Sequence, residues 1–128
     1  MNVLITGSNG FIGRALCNRM VEDGCSFIRG VRKNAENKTR TVVYGDIHGD
    51  TNWSDALRNC SGVIHLAARV HVMRDNTPEP LSAFRTVNTD GTLHLARQAA
   101  AAGVHRFVFV SSIGVNGSES FQVPFNLT

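Results

Sequence analysis

No stretch of the 128-residue chain approaches the ~18 consecutive apolar residues that a membrane-spanning helix needs, so a membrane protein is not expected. The N-terminus lacks a basic region followed by an apolar run and a small-residue cleavage site, and no secretory signal is expected either. The cysteines, Cys17, Cys25 and Cys60, are odd in number and lack metal-ligand spacing. They read as reduced, small apolar residues of a cytoplasmic protein, with neither a disulfide framework nor a metal site. Charge of one sign is scarce: 13 basic residues against 10 acidic ones leave +3, too little to argue for nucleic acid. Basic charge concentrates in residues 29–40, where Arg29, Arg32, Lys33, Lys38 and Arg40 are countered only by Glu36. Tyr44 is the only tyrosine, and Lys33 and Lys38 are the only lysines.

What is present reads as one globular domain, with 42% hydrophobic and 18% charged residues. A chain of this size hides roughly two-thirds of its unfolded surface. Asn2 to Thr6 (NVLIT) is apolar without alternation, the pattern of a strand buried on both faces of a parallel sheet. Helical spacing follows through Phe11, Ile12, Ala15, Leu16, Arg19 and Met20, closing at Gly24. Further strands are expected over Ser26 to Val31, Arg40 to Tyr44, Gly62 to Leu66 and Arg106 to Ser111, with a short helix over Trp53 to Asn59. Thr77-Pro78 predicts the start of the longest helix, which runs to Gly103. Gly91 in its middle costs about 1 kcal/mol against alanine and predicts a close approach to a neighbouring backbone. Alternating strands and helices imply right-handed βαβ units in an α/β, doubly wound parallel sheet of the Rossmann type.

The strongest signal lies between the first strand and the first helix: Thr6-Gly7-Ser8-Asn9-Gly10-Phe11-Ile12-Gly13. Glycines there allow a tight turn, backbone approach to a pyrophosphate, and close packing of helix on strand. The phosphates would then meet the outward N–H groups and positive end of the helix. The spacing is one residue longer than the commonest dinucleotide fingerprint, so the placement between strand and helix carries the argument. A P-loop is excluded because no Lys-Ser/Thr pair follows the last glycine.

The T-G-x-x-G-F-I-G opening resembles that of the extended short-chain dehydrogenase/reductases. The resemblance continues through Gly45-Asp46-Ile47, His65-Leu66-Ala67-Ala68, Val87-Asn88-Thr89-Asp90-Gly91-Thr92 and Ser111-Ser112-Ile113-Gly114-Val115-Asn116-Gly117. His65 through Val72 and the Ser-Ser-Ile element look most like nucleoside-diphosphate-sugar epimerases, such as UDP-hexose 4-epimerases. The resemblance implies that residues 1–128 are a C-terminally truncated NAD(P)-binding Rossmann domain without its substrate domain. It implies NAD or NADP as cofactor, a nucleotide-sugar substrate, no nucleic-acid or membrane partner, and a homo-oligomer. The parent enzyme would pass a hydride from the hexose C4 to the nicotinamide and return it to the other face. Dehydratases and reductases share these motifs, and a non-catalytic dinucleotide sensor is the alternative from another class.

The resemblance also assigns residues. Gly7, Gly10, Phe11, Ile12 and Gly13 form the pyrophosphate turn. Asp46 would bond the adenine amino group, with Ile47 on the ring; the alternative is a turn aspartate. Leu66, Ala67 and Ala68 would line the cofactor, with Ala67 and Ala68 small because backbone passing beside it leaves no room for large side chains. Asn88 has poor propensity mid-helix, which a bond to backbone near the cofactor would explain, as would simple exposure. His65 reads as a packed core residue rather than a base. Ser112 is the expected catalytic hydroxyl, aiding proton transfer at the sugar; otherwise two serines merely end a strand. Asn116 and Gly114 depart from the family's usual residues around it. The family's tyrosine, activated by a lysine four residues later, has no counterpart here. No acid follows the second strand, where Arg32 could instead pair with a 2′-phosphate, so NADP is expected to bind at least as readily as NAD.

Overall fold

A computed structural model describes residues 2–33, 40–70, 76–120 and 124. Lys38, Glu36 and Val72 lie outside the described residues. Five parallel strands form one sheet: β1 (Val3–Thr6), β2 (Phe27–Val31), β3 (Thr41–Val43), β4 (Gly62–His65) and β5 (Arg106–Phe109), in the order β3-β2-β1-β4-β5. Helix α1 (Phe11–Glu22) links β1 to β2, α2 (Ser54–Leu57) lies between β3 and β4, and a long helical segment links β4 to β5. This is the doubly wound arrangement expected from the alternation of elements.

The unbroken apolar run of β1 has a direct cause. Leu4 and Ile5, both fully buried, belong to different clusters. Leu4 packs with Ile47, Trp53, Leu57, Val63, Leu95 and Ala99. Ile5 packs with Cys17 and Phe27. Successive strand side chains point to opposite faces, so a strand with cover on both sides cannot alternate apolar with polar. Of the cysteines, Cys17 and Cys60 are buried, Cys25 is exposed, and none of the three forms a disulfide. Among the described residues no helix is long and apolar enough to cross a membrane, and no cluster could hold a metal ion.

The long helix departs from expectation in two ways. It begins at Pro80, not at Thr77-Pro78. A residue before proline is driven out of the helical region, and Glu79, at φ −130° and ψ 75°, obeys this. Pro80 is therefore the earliest helical position. The segment is also not one α-helix: α3 (Pro80–Arg85) passes through a π-helical turn (Thr86–Gly91) into α4 (Thr92–Ala101). Gly91 sits at the end of that turn, pressed on the chain after β3. A Cβ there would clash with Ile47 Cγ2 and lie 3.4 Å from the His48 nitrogen.

Candidate functional site

The glycine turn is shaped by backbone meeting backbone. Gly7 has φ +65°, and a Cβ on it would lie 2.9 Å from the Ala67 nitrogen. A Cβ on Gly13 would strike the Gly7 carbonyl oxygen and lie 2.7 Å from Ser8 Cα. These contacts hold α1 hard against the ends of β1 and β4. Gly10, the N-cap of α1, is extended and supplies no capping side chain. The first-turn N–H groups thus lack the usual side-chain partner and are available to an anion. Ser8 is turned away from that role, its hydroxyl donating to the Gly30 carbonyl at 3.0 Å.

The opposite wall follows β4. The Thr6 Oγ1 accepts from both Leu66 and Ala67 backbone nitrogens, each at 3.2 Å. Its own hydrogen is left to donate to His65 Nδ1, 2.7 Å away. His65 therefore carries its proton on Nε2, which donates to Thr92 Oγ1 at 3.0 Å. Burial lowers the His65 pKa to about 4, so the ring is neutral and ties three elements together. It does not line the cleft, in keeping with a core residue.

The third wall is formed by the ends of β2 and β3. Arg32 and Asp46 face each other there at 3.8 Å, both largely exposed. Asp46 thus adds a counter-charge from outside residues 29–40. Arg29 lies over the Phe27 ring at 4.6 Å, and Arg40 bonds Asn2 and Ser26, so Arg32 is the arginine of this stretch that reaches the cleft. Thr51 holds the loop after Asp46: its hydroxyl donates to the Asp46 carbonyl at 2.8 Å and accepts from the His48 nitrogen at 2.9 Å. From α4, Gln98 donates to the Thr51 carbonyl at 3.1 Å and accepts from the Trp53 nitrogen at 3.0 Å.

These walls enclose a cleft of about 840 Å³, a size typical of small-molecule sites. Gly7, Gly10, Phe11, Ile12, Gly13, Arg32, Asp46, Ile47, Leu66, Ala67 and Ala68 all line it. Asn88 and Ser112 do not. Asn88 bonds the Arg69 backbone twice, from its nitrogen at 2.8 Å and to its oxygen at 2.9 Å. It acts on the wall through Arg69, which does line the cleft. Ser112 is exposed and caps the short 3₁₀ turn of residues 113–116, accepting from the Gly114 nitrogen at 3.1 Å. Sequence reasoning missed Tyr44, whose ring lines the cleft and whose hydroxyl lies 3.4 Å from the Gly7 nitrogen. The available signal was its place immediately before Gly45-Asp46. It also missed Ala83, Thr86 and Val87, which share one helical face toward the cleft.

Known proteins resemble this chain in both sequence and fold. It is 42% identical over 118 residues to a UDP-glucose 4-epimerase of Vibrio cholerae, an alignment covering 91% of the chain and 36% of that protein. It therefore spans little more than a third of that relative's length. Among solved structures, MoeE5 in complex with UDP-glucose and NAD is similar at 31% identity and a TM-score of 0.76, over 93% of this chain and 39% of that one. A short-chain dehydrogenase/reductase superfamily protein from Agrobacterium tumefaciens with bound NAD is similar at 31% identity and a TM-score of 0.74, over 91% and 34%. The family model described as the NAD dependent epimerase/dehydratase family matches residues 3–127. Turn, sheet order and matched length agree, and the chain belongs to the NAD dependent epimerase/dehydratase family.

Proposed function

We propose that this chain is the N-terminal dinucleotide-binding part of a nucleotide-sugar epimerase, holding NAD or NADP in the cleft. The observation that carries the reading is the uncapped start of α1, pressed by Gly7 and Gly13 against the ends of β1 and β4. A pyrophosphate fits there, met by the N–H groups of Phe11, Ile12 and Gly13. Asp46 and Ile47 would take the adenine, and Ala67 and Ala68 leave room for the cofactor to pass. Asn88 positions the Arg69 backbone beside it. Once bound, the nicotinamide supplies hydride transfer at the sugar C4. Ser112 would hydrogen-bond the sugar hydroxyl through its own O–H, which accepting from the Gly114 nitrogen leaves available. The relatives named as UDP-glucose 4-epimerases, and MoeE5 with its UDP-glucose, support a nucleotide sugar as substrate. Cysteines without a disulfide suit a cytoplasmic setting.

The 128 residues contain no Tyr-x-x-x-Lys, so the chain by itself should bind dinucleotide and turn nothing over. Calorimetric titration with NADH and NADPH tests binding, and UDP-glucose with cofactor tests turnover. Binding without turnover is expected, with NADPH at least as tight as NADH and its advantage lost in Arg32→Ala. Failure to bind either dinucleotide would overturn the reading.

A further inference from the structure

Tyr44 is not among the residues assigned to the pyrophosphate or the adenine, though its hydroxyl accepts from the Gly7 nitrogen of the turn, and its surroundings are well defined. Its ring packs on Trp53 with centroids 4.7 Å apart and planes tilted by 40°. Trp53 is fully buried and held through its backbone by Gln98. On the other side the ring lies over β2: a Cβ on Gly30 would come within 3.2 Å of Tyr44 Cε1. The phenol is thus delivered to the cleft by a rigid stack, beside Arg32, Asp46 and Gly7.

A phenol has one hydrogen to donate and two lone pairs to accept with. The Gly7 N–H, 3.4 Å away, points at the oxygen and uses an acceptor position. Among the described residues no acceptor is found for the Tyr44 hydrogen. Burial raises the phenol's pKa, opposed by the Gly7 N–H and by Arg32, so the proton stays on at neutral pH. A preorganised, protonated donor therefore faces the cleft where β1, β2 and β3 end.

We infer that Tyr44 is a further ligand-binding residue of the cleft, its phenol donating a hydrogen bond to an oxygen on the adenosine-side ribose. This rests on the dinucleotide reading of the cleft. The oxygen can be a ribose hydroxyl, common to both dinucleotides, or the 2′-phosphate of NADP alone. Because the donor is already held in place, little freedom is lost on binding, and the bond contributes to affinity rather than to folding.

The test compares the chain with Tyr44→Phe, titrating NADH and NADPH by calorimetry. The variant keeps the ring contact with Trp53 but loses the acceptor of the Gly7 N–H, so a small fall in melting temperature is expected and affinities are compared where both proteins are folded. Its affinity should fall on the order of fivefold, the loss expected for one neutral hydrogen bond. A loss for both ligands identifies a ribose hydroxyl, and a loss for NADPH alone identifies the phosphate. A second measurement needs no variant. Tyr44 is the only tyrosine, so fluorotyrosine labelling gives a single fluorine NMR signal, which NADH or NADPH should shift. Unchanged affinities in Tyr44→Phe, or an unmoved fluorine signal at saturating dinucleotide, would overturn this inference and leave the dinucleotide reading intact. If the unaltered chain binds neither ligand, the dinucleotide reading itself falls, and this inference with it.

Discussion

The two places where the sequence pattern concentrates its glycines and hydroxyls behave in opposite ways. At the ends of β1 and β4, Thr6 and Ile5 are fully buried, and a Cβ on Gly7 or Gly13 would meet backbone atoms. After β5, Ile113 and Val115 are 65% and 76% exposed, and a Cβ on Gly114 would approach only the Ser112 hydroxyl, at 3.3 Å. The first region is positioned by contacts between distant parts of the chain. The second is held by local bonds within a few residues, from Ser112 to Gly114 and Val115. A binding surface can be built in the first because its geometry is over-determined. Among the described residues no such contacts surround Ser112.

The strongest test of this contrast is Gly13→Ala. The added methyl has only backbone to displace, so α1 must shift from β1, at a cost of about 3 kcal/mol or more. Urea unfolding should show a large loss of stability, with dinucleotide binding abolished. A stable variant would mean that helix and turn yield more easily than the contacts indicate.

Next in size is a pH effect centred on His65. Its folded pKa, lowered to about 4 by burial, lies below its ordinary value of ~6.5. Between these values the unfolded chain takes up a proton that the folded chain refuses. Its stabilising contribution is therefore whole above pH ~6.5 and is lost as pH falls through about 4, a total on the order of 3 kcal/mol. Carboxylates titrate in the same range, so the readout is a comparison with His65→Gln. The unaltered chain should lose more stability between pH 7 and pH 4.5 than the variant does. Equal losses would count against a neutral, buried His65.

Asn88→Ala probes the link between the π-helical turn and the cleft wall. Two hydrogen bonds to the Arg69 backbone disappear, for a loss of about 1–3 kcal/mol in stability. Dinucleotide affinity should weaken severalfold, because the wall formed by residues 66–70 loses its anchor. Full affinity in a destabilised variant would reduce Asn88 to a fold residue only. The smallest effect belongs to the exposed segment. Ser112→Ala removes one cap bond and should cost about 0.5–1 kcal/mol, with dinucleotide binding unchanged. A large loss of binding would show that Ser112 reaches the cleft after all.

Much of the fold and part of the cleft are legible in the amino-acid sequence. The run of β1, the glycine turn and the alternation of strand with helix predict a doubly wound sheet, because each is a local consequence of period and backbone freedom. The cleft wall after β4 is legible in part, through the small residues Ala67 and Ala68. The start of the long helix is not, because both Thr77-Pro78 and Glu79-Pro80 offer a proline in the first turn and Thr77 offers the better cap. The constraint on the residue before proline decides between them only when the later proline is given priority. Tyr44 reads as an ordinary strand residue, since nothing in its neighbours in sequence announces Trp53, Gly30 and Gly7 around it.

The class of fold and the kind of ligand the turn can hold thus follow from residues close together along the chain: strand period, helix start, and glycines at fixed offsets. Which side chains share the cleft is a matter of packing between elements. Arg32 meets Asp46, Tyr44 meets Gly7, and Asn88 serves Arg69, while Ser112 caps its own turn. Apart from the last, these pairings join strands, loops and helices that are separated in sequence. The sheet order sets them, bringing the ends of β1, β2, β3 and β4 to one edge of the molecule, where no local pattern records who will be whose neighbour.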